Sequence, residues 1–188
     1  AIVLDSKGTL INDLLAARAC CTDRTIVINP EDLPHVFNLN FLDLNRVMEA
    51  PPLEQAILSR STLDMLEYTL RARGNEVTPR QRDLLSFCFK LLLVIPDATI
   101  HHMLDLLSMG GHERYSKYFP KLEGQVRQFF EDRQGGFEGK EFRDAKRELQ
   151  RRFYGMLSED IFSTMFSNPK PKFDLYEAIN QGSLILVN

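Results

Sequence analysis

The chain has 188 residues, 44% of them hydrophobic and 26% charged, with a formal net charge of −3. That length supports one ordinary domain, or a small domain carrying an insertion, with enough apolar residues for a sizeable core. The slight acidity excludes a protein whose whole surface grips nucleic acid but leaves room for a local basic patch. Three cysteines, Cys20, Cys21 and Cys88, make no disulfide framework and read as buried thiols of a reducing compartment. No stretch reaches the ~18–20 apolar residues of a membrane span.

The first forty residues alternate strand and helix. An apolar run, Ile2–Leu4, turns through Asp5-Ser6-Lys7-Gly8 into a helix predicted over Thr9–Ala19, with Leu10, Ile11, Leu14 and Leu15 inward. A second strand, Thr25–Ile28, ends at Asn29-Pro30-Glu31-Asp32, and strand, helix, strand at this spacing predicts a βαβ unit. A loop with Phe37, Asn38 and Asn40 leads to Pro51-Pro52, which opens a long helix to Arg73, closed by Gly74-Asn75. Its apolar positions are Leu53, Ile57, Leu63, Leu66 and Leu70. Thr78-Pro79 starts the next helix as N-cap and first-turn proline. That helix is apolar nearly all round to Ile95 and is expected to be the most buried.

Pro96 ends it, and Asp97 or Thr99 caps a helix over Ile100–Ser108 that stops at Gly110-Gly111. An aromatic linker (Tyr115, Tyr118, Phe119, Pro120) precedes a helix over Leu122–Asp132, broken by Gln134-Gly135-Gly136. Lys140–Leu157 is the most charged helix, followed by a short one over Asp160–Phe166. Asp174 caps a last turn, Leu175–Asn180, and Gly182 releases the chain into a closing apolar strand, Ser183–Asn188. Short continuous apolar runs read as buried parallel strands. A chain that opens and closes on such strands is expected to be the middle of a larger α/β protein, with part of its chemistry elsewhere. The expected fold is mainly α: a helical domain inserted between parallel strands of a partial α/β core.

Asp5-Ser6-Lys7-Gly8 sits at the carboxyl end of a strand, where open parallel sheets bind ligands. There Asp5 suits orienting a neighbour or a metal-bound water, Lys7 suits a phosphate, and Gly8 allows a tight turn. The plain reading is a strand-to-helix turn with a capping Asp. Arg143, Arg147 and Arg151 recur at four-residue steps, with Lys146 and Arg152 beside them, a stripe able to follow a phosphate backbone. Asp144 and Glu148 interleave, and Glu148 is placed to pair with Arg152, so a solvated ion-paired face is the plain alternative. Arg71, Arg73, Arg80 and Arg82 carry the same ambiguity.

His101-His102 and His112 invite a metal reading, but Asp105 alone stands at a useful step, and surface or capping histidines are expected, with no metal site. The phenylalanines from Phe119 to Phe166 are expected to pack a core rather than stack on bases. The phosphate-loop pattern GxxxxGK[ST] is absent, and the last strand ends in Asn188 rather than an Asp-Glu pair. No catalytic set has a recognisable spacing.

Ile2-Val3-Leu4-Asp5-Ser6-Lys7-Gly8-Thr9-Leu10 resembles the "hydrophobic strand, D-P-K-G-[DE]-L" segment of conjugative DNA-transfer ATPases. These are the type IV secretion coupling proteins of the HerA/FtsK-like motor superfamily. Arg24–Asp32 with Phe37-Asn38-Leu39 is similar to that family's next strand and its "D-P … N-x-L" tail. Phe173–Ile179 with Gly182–Val187 is similar to its "F-D-[LI]…[IL]-x-x-G-K-I-[LV]" strand. The resemblance spans the whole chain in layout and a minority of it in motif residues. Ser6 stands where Pro is usual and Thr9 where an acid is usual.

The resemblance implies a RecA-like motor core over 1–45, an all-helical domain over 46–172 and a return to the core over 173–188. It implies a parent ATPase, homohexameric, using ATP and Mg to move DNA through a channel at the cytoplasmic face of the inner membrane. The helical domain would face the cytoplasm and dock DNA, relaxosome or secretion-substrate proteins. This chain alone, without the phosphate loop or the acidic pair, is expected to be inactive and to bind no cofactor. On this reading Asp5, Lys7 and Gly8 form a core turn touching nucleotide or a neighbouring subunit. Arg143, Lys146, Arg147 and Arg151 form a DNA or partner face. The competing expectation is a helical protein–protein adaptor with no nucleotide role, whose strands pair with a partner.

Overall fold

The apolar runs near the two ends of the sequence meet in one sheet. In a computed structural model, residues 1–17, 23–29, 42, 44–71, 76–132, 134–170 and 175–188 are described. Strand β1 (Ile2–Leu4), helix α1 (Thr9–Ala16), strand β2 (Thr25–Ile28), helix α10 (Leu175–Asn180) and strand β3 (Leu184–Val187) belong to one compact unit, 1–39 with 170–188. The order is β1-β3-β2, and both pairings are parallel. The expected βαβ unit is therefore split: its two strands share a sheet without touching, because β3 lies between them. Ile185 is level with Ile2 on one side and Ile26 on the other.

Register decides which side chains share a face, since alternate residues of a strand point opposite ways. Ile26, Ile28, Ile185 and Val187 gather with Ala178 of α10 into a small core. The same face continues onto β1, where Ile2 is 52% and Leu4 76% exposed. Leu186, pointing the other way, is buried, and Val27 beside it is 44% exposed. The sheet is thus apolar on both faces but only partly covered among the described residues, whereas all-parallel sheets are ordinarily covered on both.

The second unit, 40–169, is helical. Its elements are α2 (Leu44–Glu49), α3 (Pro52–Arg71), α4 (Pro79–Leu93), α5 (Ile100–Leu107), α6 (Gly111–Arg114), a 3-10 turn over Ser116–Lys121, α7 (Gly124–Glu131), α8 (Lys140–Leu157) and α9 (Asp160–Phe166). Helix α2 occupies residues expected as a loop; Leu44 and Val47, three residues apart, are buried on its inner side. The aromatic linker is likewise α6 followed by the 3-10 turn. The expected stop at Gly74-Asn75, Arg73 and the first two cysteines lie outside the described residues.

Helix α4 is the centre, as its composition predicts. Thr78 Oγ1 accepts from the Gln81 backbone at 3.3 Å while the Gln81 side chain accepts from Thr78 N at 2.9 Å, a reciprocal capping box. Leu84, Leu85, Cys88, Phe89, Leu91 and Leu92 are all buried, and α4 packs on α2, α3, α5, α7 and α8. Each such side chain contributes about 1.5–3 kcal/mol of burial. The late phenylalanines form the other half of this core. Phe129 stacks on Phe87 with ring centroids 4.2 Å apart and meets Phe137 and Phe142 edge-on. They are packed against one another rather than presented to bases.

Helix α3 departs from the expected pattern. Leu66 and Leu70 are buried, but Leu53 is 78% and Ile57 58% exposed. At 3.6 residues per turn Leu53 lies roughly 100° from the Leu63–Leu66–Leu70 face, so the steps of three and four conceal two separate stripes. Leu84→Ala is expected to lower unfolding free energy by about 2–5 kcal/mol, while Leu53→Ala stays within about 0.5 kcal/mol. Urea titration of both variants checks the assignment of core and surface.

Candidate functional site

Two places in the chain gather the residues singled out from sequence, one in each unit. The first is the carboxyl edge of the sheet. All three strands end there with a polar residue: Asp5 after β1, Asn29 after β2 and Asn188 after β3. The backbone carries the strand ladder to this edge, Asp5 N donating to Val187 O at 2.9 Å and Asn188 N to Ile28 O at 3.0 Å. The Asn188 amide then reaches the Asn29 side chain at 3.4 Å. Asn29 and Asn188 belong to no catalytic or binding motif of the sequence; the parallel strands alone bring them to this edge.

Asp5 uses both carboxylate oxygens on its own turn. Oδ2 accepts from Ile11 N and Oδ1 from Lys7 N, each at 3.1 Å. These amides hold its carboxyl below the ordinary carboxylate range, the Ile11 contact foremost; desolvation opposes it, and the Lys7 contact adds a lesser lowering. Ile11 N is one of the free donors at the start of α1, so Asp5 caps that helix from outside, and the first-turn amide nearest a bound anion already has a carboxylate on it. The plain reading of Asp5 describes this geometry. Lys7 is exposed on the turn.

Gly8 is the N-cap of α1 with φ 69°, in the left-handed region. A Cβ there would stand 2.6 Å from Asn188 Oδ1. The glycine thus serves both the turn and the close approach of β3's polar end. Gly8→Ala is expected to cost about 1–2 kcal/mol from the backbone conformation alone. In the double variant with Asn188→Ala the steric part disappears and the conformational part stays. Thermal or urea melts of the two variants separate them.

The second place is α8. Arg143 and Arg147 are exposed and, among the described residues, have no ion-pair partner. Arg151 is bound to Glu148 through two contacts, 2.9 and 3.2 Å. Lys146 is turned inward: its side chain is 13% exposed, with Nζ 2.8 Å from Glu138 and 4.4 Å from the centre of the Phe137 ring. It is withdrawn from the expected basic face because residue 146 lies next to the buried stripe of Ala145, Leu149, Arg152 and Phe153. Glu138 also faces His112 Nδ1 at 3.2 Å, so His112 belongs to this internal cluster.

The expected Glu148–Arg152 pair is present at 3.2 Å, with the arginine side chain 5% exposed. Its Nη1 has no hydrogen-bond partner among the described residues. Glu148's carboxyl is held below its ordinary range, by Arg151 foremost and Arg152 after it. The stripe of four cations thus reduces to two with no ion-pair partner among the described residues.

The other basic group is similarly balanced. Arg82 bonds the buried Glu67 at 2.8 Å. It lines an open groove of 530 Å³ where Arg60, Arg71 and Arg82 face Asp64, Glu67 and Asp83. Such a groove has no excess of either sign to hold a phosphate chain. Arg80 is exposed, outside this groove.

The paired histidines have structural work. His102 Nδ1 accepts from Thr99 N at 3.1 Å, taking the capping-box place at the start of α5. His101 Nε2 meets Ser167 Oγ at 3.1 Å. Asp105 is engaged by Arg114 and, at 2.8 Å, by the Tyr115 hydroxyl. Among the described residues no three His, Cys, Asp or Glu side chains converge as metal ligands. No protein-family model matches the chain, and neither does any curated protein or solved structure.

Burial holds the His102 imidazole below its ordinary pKa, against the attraction of Asp105. A depressed value means the folded state binds fewer protons than the unfolded chain. The contribution is complete above the unfolded pKa, about 6.5, and is lost as pH falls through that value and the lower folded one. Urea midpoints are expected to fall between pH 7.5 and pH 5.5. The fall shrinks in His102→Gln, which keeps a capping side chain without the titration.

Proposed function

We propose that the chain is the central part of an ATP-driven DNA-translocating motor of the conjugative type. On this reading it comprises strands of a RecA-like core and a helical domain that docks DNA or protein substrate. The observation that supports this reading is the place of β3. The strand that follows the helical residues runs parallel between the two strands that precede them, so the segments on either side of the 40–169 unit make one sheet. A sheet of this kind binds ligands beyond the carboxyl ends of its strands, and Asp5, Lys7, Gly8, Asn29 and Asn188 stand there.

On this reading Asp5 and Gly8 build the turn and Lys7 is its working side chain. The carboxylate cap on α1 favours a contact by Lys7 with a neighbouring subunit or a phosphate beyond the turn, rather than an anion seated on the helix end. ATP and Mg belong to residues of the parent outside the chain. Of the arginine stripe on the helical unit, Arg143 and Arg147 are the cations left for a DNA backbone, so the stripe's share of DNA affinity is small and its salt slope shallow.

The test is Lys7→Ala in the full-length parent. Substrate transfer is expected to drop at least about tenfold, 1.4 kcal/mol in the rate-limiting free energy, with the melting curve unchanged because Lys7 is exposed. Transfer at the wild-type level would remove the motor reading and leave the helical adaptor. The exposed Leu53, Ile57 and Tyr68 on α3 are the observation that favours that second reading.

A further inference from the structure

We infer that the helical unit carries a docking groove for a short peptide in which an apolar anchor is followed by acidic residues. The groove is lined by Leu44 and Met48 of α2, by Leu93, Val94, Ile95 and Pro96 at the end of α4, and by Lys121 at the end of the 3-10 turn. Its volume is 270 Å³. That lies below the roughly 300–1,000 Å³ of ordinary small-molecule sites and suits one or two aliphatic side chains. The inference uses only the helical unit and stands apart from the motor reading.

Three observations fix the chemistry of the occupant. The walls are apolar: Leu44 and Ile95 are buried and hold the floor, while Met48, 49% exposed, gives an adaptable side chain at the rim. Of the described residues lining the groove, Lys121 alone is charged. That cation does not stand alone, because Lys117 and Lys121 flank the Tyr118 ring, their ammonium groups 5.0 and 5.4 Å from its centre. The shared ring draws both ammonium groups to one side of Lys121's end of the groove and holds Lys121 in place.

An apolar side chain in the groove, followed along its own chain by a carboxylate, meets both requirements at once. A nucleic acid meets only the second, having no aliphatic anchor. Lys121 also lies near the carboxyl end of α4, where any cation is favourable. That role needs no occupant, and the experiment separates the two.

The probe is a fluorescein-labelled peptide of sequence GLLFDEEG, titrated with the full chain and read by fluorescence anisotropy. Binding is expected, and Lys121→Glu, at an exposed position, weakens it about five- to tenfold at 25 °C, where a circular-dichroism melt lowered by no more than a few degrees leaves the chain folded. The charge-swapped peptide GLLFKKKG shows the reverse preference, binding the Lys121→Glu chain more tightly than wild type. Met48→Ser weakens both peptides. The inference is overturned if GLLFDEEG does not bind or if Lys121→Glu leaves its affinity unchanged. It is equally overturned if GSSSDEEG binds as well as GLLFDEEG, or if a single-stranded oligonucleotide binds Lys117 and Lys121 while the peptide does not.

Discussion

Strand β3 is hydrogen-bonded on both edges, and the sheet unit exists only through it. β1 and β2 make no ladder with each other; each is anchored to a segment more than 150 residues away along the chain. Closing a flexible loop of that length costs roughly 4–5 kcal/mol, and a four-residue strand with a small apolar core returns little more. Folding of the helical unit replaces most of that loop by structure and lowers the cost. The local contacts of α4 with its neighbours are therefore expected to form early and the three-stranded sheet late, with β3 as the last piece.

The charges follow a different economy from the one their sequence spacing implies. Arg82, Arg114, Lys146, Arg151 and Arg152 each have a carboxylate within reach. The pairs differ in kind. Arg151–Glu148 is largely exposed and contributes little, whereas Arg152, nearly buried, gives Glu148 a structural task. Losing that carboxylate would strand a guanidinium inside the protein. Much of the charge on the described residues is therefore gathered in small neutralised groups, while two lysines share Tyr118 and Arg143 and Arg147 stand without a carboxylate partner among them.

Much of the local structure was legible. Thr78-Pro79 specified the start of α4, and the charged helix predicted over Lys140–Leu157 has those bounds in the structure. The pairing of Glu148 with Arg152 followed from four-residue spacing. What failed did so for reasons of tertiary context. Strand order is a long-range property, and no local rule distinguishes β1 beside β2 from β1 beside β3. Leu53 and Ile57 carried the same apolar signal as Leu66 and Leu70, yet a helix with two stripes can bury only the one its neighbours cover. Lys146 looked like a member of the arginine stripe, although position 146 borders the buried face. At the carboxyl edge, Asp5 and Gly8 stood out because a strand-to-helix turn marks them, while Asn29 and Asn188 acquire meaning only when three strand ends meet.

Cys88 lies at the middle of α4, fully enclosed, and desolvation raises its pKa far above that of an ordinary thiol. A thiolate is the reactive form, so a disulfide reagent cannot modify this sulfur while α4 stays packed. The thiol is in that sense a clock sealed inside the helical unit. Its labelling rate counts openings of the interior and is blind to fraying at the helix ends, and any ligand that binds only the closed form slows it in proportion to occupancy.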